Sequence, residues 1–63
     1  MEPVKEWINR KGITRTAFAD KIRANKSQVT RWLDGTHKPS LPALRRIRDV
    51  TGISLDKLAK SLE

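Results

Sequence analysis

The sequence predicts an all-α protein, a compact bundle of five short helices. Three observations lead there. Apolar residues recur three and four apart in five separate stretches, the spacing of one helical face. Helix-opening residues (Thr14, Asn25, Ser40 and Ser54) precede four of those stretches, and helix-closing glycines (Gly12, Gly35 and Gly52) follow three. No stretch alternates apolar and polar residues between hairpin turns, as a half-buried strand would. Short loops join the stretches, and there is no repeat, low-complexity tract or linker, so residues 1–63 are expected to form a single domain.

The first helix is expected from Pro3 to Lys11. Proline suits the first turn, where its missing N–H would have had no acceptor. Val4, Trp7 and Ile8 form the apolar face, and the stem of Lys11 extends it. Gly12 ends the helix. The second is expected from Arg15 to Ile22, with Thr14 as N-cap. Phe18, Ala19 and Ile22 face inward, and the small Ala19 lets another helix come close. The free N–H groups and positive dipole end at its start can hold a phosphate. Arg15 places a cation where the dipole favours an anion, and a phosphate bound nearby would reconcile the two. Residues 23–25 form the turn.

The third helix is expected from Lys26 to Asp34. Asn25 can accept a bond from a free backbone N–H, and Gln28 can reach back to complete a capping box. Gly35, after the last helical residue, allows the left-handed stop. At about 100° per residue, Val29 and Trp32 point inward and Leu33 sits at the boundary. Lys26, Ser27, Thr30, Arg31 and Asp34 gather on the opposite face, with Gln28 on a flank. That outward face is rich in hydrogen-bonding groups and poor in acids, which suits the reading of base edges in the major groove of DNA.

Residues 35–40 read as a loop. The fourth helix is expected from Leu41 to Thr51, with Ser40 as N-cap, Pro42 in the first turn and Gly52 past the end. Leu41, Leu44, Ile47 and Val50 are expected to face the core. The fifth is expected from Leu55 toward Leu62, with Leu55, Leu58, Ala59 and Leu62 as its stripe. Leu58 and Leu62 are expected to leave apolar surface for a two-fold partner.

Charge is the strongest bulk property. Fourteen Lys and Arg oppose seven Asp and Glu, a net of +7. Between Arg10 and Arg48 stand eleven basic residues against only Asp20 and Asp34, a net of +9 over that stretch. Such a stretch favours a polyanion, most often nucleic acid. There is no cysteine, so neither a disulfide nor a thiolate metal site is available. No apolar run approaches the roughly 20 residues that cross a bilayer. Met1-Glu2-Pro3-Val4-Lys5 is not followed by the apolar core of a secretion signal, so a cytoplasmic location is expected.

Residues 12–58 resemble the phage repressor and Cro type of helix-turn-helix, also called the xenobiotic-response-element family. The run that carries the resemblance begins Gly12-Ile13-Thr14-Arg15, Phe18-Ala19 and Ile22. It continues with Ser27, Val29, Arg31-Trp32, Asp34-Gly35 and Lys38-Pro39-Ser40-Leu41. It closes with Leu44, Ile47, Gly52-Ile53-Ser54-Leu55-Asp56 and Leu58, and no gap is needed. The resemblance implies a five-helix, lambda-repressor-like bundle with a helix-turn-helix. It implies base-edge contacts from Lys26, Ser27 and Arg31, together with Thr30 and Gln28. It implies phosphate contacts from Arg15 and from the loop residues Thr36, His37 and Lys38, with Arg10 a further phosphate candidate. Two positions depart from the family pattern. Arg23 stands in the turn where the family often has a glycine with positive φ, and Arg15 stands where many members have glutamine.

The expected function is therefore sequence-specific binding of double-stranded DNA by a small phage or bacterial transcriptional repressor. It would bind a palindromic operator as a homodimer, formed in solution or only on DNA, in the bacterial nucleoid or the cytoplasm of an infected host. Other readings are weaker. Paired carboxylates, a phosphate-cradling glycine loop and a nucleophile with a base are all lacking, so no enzyme is expected. His37 is the only histidine and has no second ligand at metal spacing; no metal, cofactor or small-molecule ligand is expected. Trp7 and Trp32 sit on apolar faces and read as core. The basic stretch Leu41–Val50 could suit a membrane surface, but Pro42 and Asp49 interrupt it. The serious competitor is a module that uses the same fold to hold a protein partner, as an antitoxin or adaptor would.

Overall fold

The computed structural model describes residues 1–63 and has five helices: α1 (Glu2–Lys11), α2 (Arg15–Lys21), α3 (Lys26–Asp34), α4 (Leu41–Thr51) and α5 (Leu55–Lys60). There is no strand. The all-α bundle expected from the sequence is the one observed, with extents of 24 × 20 × 18 Å.

The helix starts follow from side-chain caps, each a hydroxyl or amide oxygen that takes a backbone N–H the helix cannot satisfy. Thr14 Oγ1 accepts from the Ala17 N–H at 3.0 Å, Ser40 Oγ from Ala43 at 3.4 Å and Ser54 Oγ from Lys57 at 3.2 Å. At α3 the box is complete. Asn25 Oδ1 accepts from the Gln28 N–H at 2.8 Å, and Gln28 Oε1 accepts from the Asn25 N–H at 3.3 Å. α1 begins at Glu2, one residue before the expected Pro3, and has no side-chain cap.

The α2–α3 turn is closed by Arg23, the only non-glycine residue with positive φ, at 58°. α2 ends at Lys21, with Ile22 as its cap rather than its last helical residue. The Ala24 N–H then donates to Ala19 O at 2.9 Å and the Arg23 N–H to Asp20 O at 3.3 Å. These two bonds make a Schellman closure, which requires a left-handed residue at that point. An L-residue there costs about 1–2 kcal/mol.

Every helix or its cap contributes a side chain with less than 2% exposure: Val4, Phe18 and Ile22, Val29, Ile47, and Leu58. No buried residue is polar or charged, so the core depends on apolar burial alone, at roughly 25 cal/mol per Å². α3 packs against both α2 and α1, and α5 packs on α4.

Four expectations about burial need correction. Leu33, placed at the boundary, is only 5% exposed. A single-helix projection cannot register that α3 is covered by two neighbours. Leu41, expected inside, is 53% exposed, while Ala43 takes a core position at 3%. A spacing of three falls short of the 3.6-residue turn, so Leu41 and Val50 lie about 180° apart around α4 and cannot share one face. Ala59 is exposed and α5 stops at Lys60, short of Leu62. Leu58 is 0% exposed and Leu62 is half-buried, so Leu58 offers no surface to a partner. Met1 joins the core and Pro39 is also buried, neither of which any periodicity marked.

Candidate nucleic-acid interface

α3 carries the candidate site. Its capping box fixes where the helix begins, and its buried Val29, Trp32 and Leu33 fix how it is rotated. That rotation leaves Lys26, Ser27, Gln28 and Arg31 exposed and Thr30 half-exposed. Lys26, Ser27, Thr30 and Arg31 line one shallow concavity of about 430 Å³, with no apolar residue in its wall. The arrangement offers two cations and two hydroxyls at successive turns of one helix, which is a set of donors and acceptors without a carboxylate among them. Neither Lys26 nor Arg31 is in an ion pair.

Gln28 stands apart from that group. Its Oε1 is engaged in the capping box, while its Nε2 keeps two N–H donors. α3 ends at Gly35, whose φ of 80° would strain any other residue. The Thr36 and His37 N–H groups turn back to donate to Arg31 O at 2.9 and 3.3 Å. With those amides engaged, any anion held by Thr36 or His37 must be held by the side chains. Thr36, His37 and Lys38 are all exposed. Arg10, also exposed, lines a different cleft with Trp7, Lys11 and Thr51. In that cleft the Lys11 Nζ sits 5.8 Å from the Trp7 ring centroid. The Lys11 residue is exposed rather than lying along the core.

Arg15 has a partner that the sequence reading missed. Its guanidinium lies 3.9 Å from the Asp34 carboxylate. Each charge is on the wrong end of its own helix, a cation at the start of α2 and an acid at the end of α3, and each such placement costs about 0.3–1 kcal/mol at an exposed site. The pair offsets both. In the free protein the anion beside Arg15 is the Asp34 carboxylate. The two misplaced charges were visible in the sequence, and pairing them required only that the start of α2 lie beside the end of α3. The tryptophans are part of the packing: Trp32 is 8% exposed, and Trp7 meets Phe18 at 5.8 Å with the rings tilted by 60°.

A family model described as helix-turn-helix matches residues 4–58. The chain belongs to that family, in its Cro and C1 branch. No curated protein and no solved structure matches it. Helix-turn-helix proteins of this branch are DNA-binding transcription regulators and typically not enzymes. The match reaches eight residues further toward the N-terminus than the resemblance read from residues 12–58, so α1 belongs to the family unit as well. In the helix-turn-helix formed by α2 and α3, the Arg23 turn supplies the positive φ that the family often obtains from glycine. None of the five helices is long and apolar enough to cross a membrane.

Proposed function

We propose that this helix-turn-helix protein is a sequence-specific transcriptional repressor of phage or bacterial type, a single DNA-binding domain that occludes a promoter by occupying an operator. The observation that carries the reading is the outer face of α3, where Lys26, Ser27, Thr30 and Arg31 line one carboxylate-free concavity. Arg31 is suited to guanine O6 and N7, which a guanidinium fork can take together. Lys26, Ser27 and Thr30 add donors and acceptors for neighbouring base edges, and Gln28 adds its free amide N–H groups. Arg15, Arg10 and the side chains of Thr36, His37 and Lys38 hold phosphates and set the register without reading sequence.

One unit of this size covers about one half-site, so two copies are proposed to bind a palindromic operator, with half-sites about 34–36 Å apart. The protein would act in the nucleoid or in the cytoplasm of an infected cell. The experiment that tests the reading is selection of tight binders from a random duplex library, followed by a salt titration. The +9 stretch predicts that log K falls by about 0.9 per phosphate neutralised for each unit of log salt. Binding that stays flat from low to moderate salt, or a library with no enriched sequence, would favour the protein-partner reading instead.

A further inference from the structure

We propose that the Asp34 carboxylate is a built-in competitor for the phosphate assigned to Arg15, and so acts as a brake on binding to any duplex. This rests on the interface proposed above. The molecule has two ion pairs, and the other joins the adjacent residues Arg48 and Asp49 on α4. Only Arg15–Asp34 ties one helix to another, and the helices are the two of the helix-turn-helix. Asp34 directly precedes Gly35 and the loop Thr36–Lys38, whose side chains are assigned to phosphates. It is also one of only two acids in the basic stretch from Arg10 to Arg48.

The contact is long and open to solvent. The side chains are 38% and 51% exposed and the contact is at 3.9 Å, so water and salt screen the pair and Arg15 can leave it. A phosphate that takes Arg15 competes with the carboxylate for the guanidinium. The carboxylate left behind then repels that phosphate, because like charges a few ångströms apart disfavour one another even in water. Neither event involves a base edge. The penalty therefore falls equally on every sequence and lowers the backbone part of the affinity, which makes the complex lean harder on α3.

The test uses the full chain with Asp34→Asn, which keeps the size and removes the charge. On a random-sequence duplex at low salt, Asp34→Asn should bind about three- to tenfold tighter than the wild type, the scale of one lost ion pair plus one lost like-charge repulsion. The gain should be the same factor on a selected duplex, and the dependence on salt should steepen by about one phosphate. In an Arg15→Ala background, the same change should yield less than half of that gain on a logarithmic scale. Thermal melts establish that each variant is folded, and Asp34→Ser repeats the measurement if the Asn variant melts early. Binding by Asp34→Asn that is unchanged or weaker overturns the brake. So does an equal gain with and without Arg15. A wild-type chain that binds no duplex overturns the interface itself, a failure seen before any variant is made.

Discussion

Arg31 is exposed, mid-helix and outside any ion pair, and its carbonyl is fixed by two N–H donors from the following loop. A long forked donor on so anchored a backbone suits a base edge. Replacing Arg31 with Ala should cost about 1–3 kcal/mol on the selected site and relax preference at one base pair, with little change on scrambled DNA. Equal loss on both duplexes would make Arg31 a phosphate clamp and move the base-reading role to Lys26, Ser27 and Gln28. Lys38 is exposed in the loop after α3. Replacing it with Ala should weaken selected and scrambled duplexes alike and lower the salt slope by about one phosphate, which two salt concentrations suffice to measure. At this scale the outward set was legible because rotation about one helix is fixed by 3.6 residues per turn. The Arg15–Asp34 contact was not, since it depends on how two helices lie against each other. Nor was the capture of Gln28 Oε1 weighed against its availability to a base, although the spacing that allowed it was plain.

The four capped helix starts were the most readable feature, and the reason is local. A cap needs only the residue before the helix and the N–H groups two or three places on, so Thr14, Asn25, Ser40 and Ser54 announced themselves. Removing the capping box with Asn25→Ala should lower stability by about 1 kcal/mol, and melting by roughly 4–8 °C, because one orphan N–H loses its acceptor. A melt unchanged within a degree would show that α3 is held by packing alone. The turn should respond in the opposite direction. Arg23 holds φ at 58°, and glycine adopts that conformation freely, although it adds freedom to the unfolded chain. The balance predicts that Arg23→Gly raises stability by about 0.5–1 kcal/mol, read as a higher midpoint in urea. A lower midpoint would mean that the arginine side chain contributes packing which outweighs the backbone strain.

The fold class survived errors at single positions because the core is collective. Val4, Phe18, Val29, Ile47 and Leu58, all buried, each lie on a face read correctly from spacing. Leu41 and Ala59 did not, since they sit at the edges of their stripes, where the neighbouring helix decides. The exposed Leu41 also bears on the proposed pairing of two copies. The stripe of α5 was expected to supply the surface, but Leu58 is 0% exposed; Leu41, at 53%, is the one large apolar side chain left in solvent. A stable dimer buries about 800 Å² per partner, far more than one leucine provides. Pairing in solution should therefore be weak and completed on DNA, where two half-sites hold the copies side by side. If Leu41 of each copy is covered there, its remaining exposed half contributes about 1 kcal/mol per copy, half the usual value for full burial. Leu41→Gln, which adds no charge and disturbs no core position, should then bind an isolated half-site as the wild type does. On an operator with two half-sites it should lose roughly ten- to thirtyfold in affinity. Footprinting with defined numbers of half-sites, together with sedimentation of the free protein, separates the outcomes. An unchanged ratio between one and two half-sites would place the pairing surface elsewhere, and a wild-type footprint confined to one half-site would remove pairing from the mechanism.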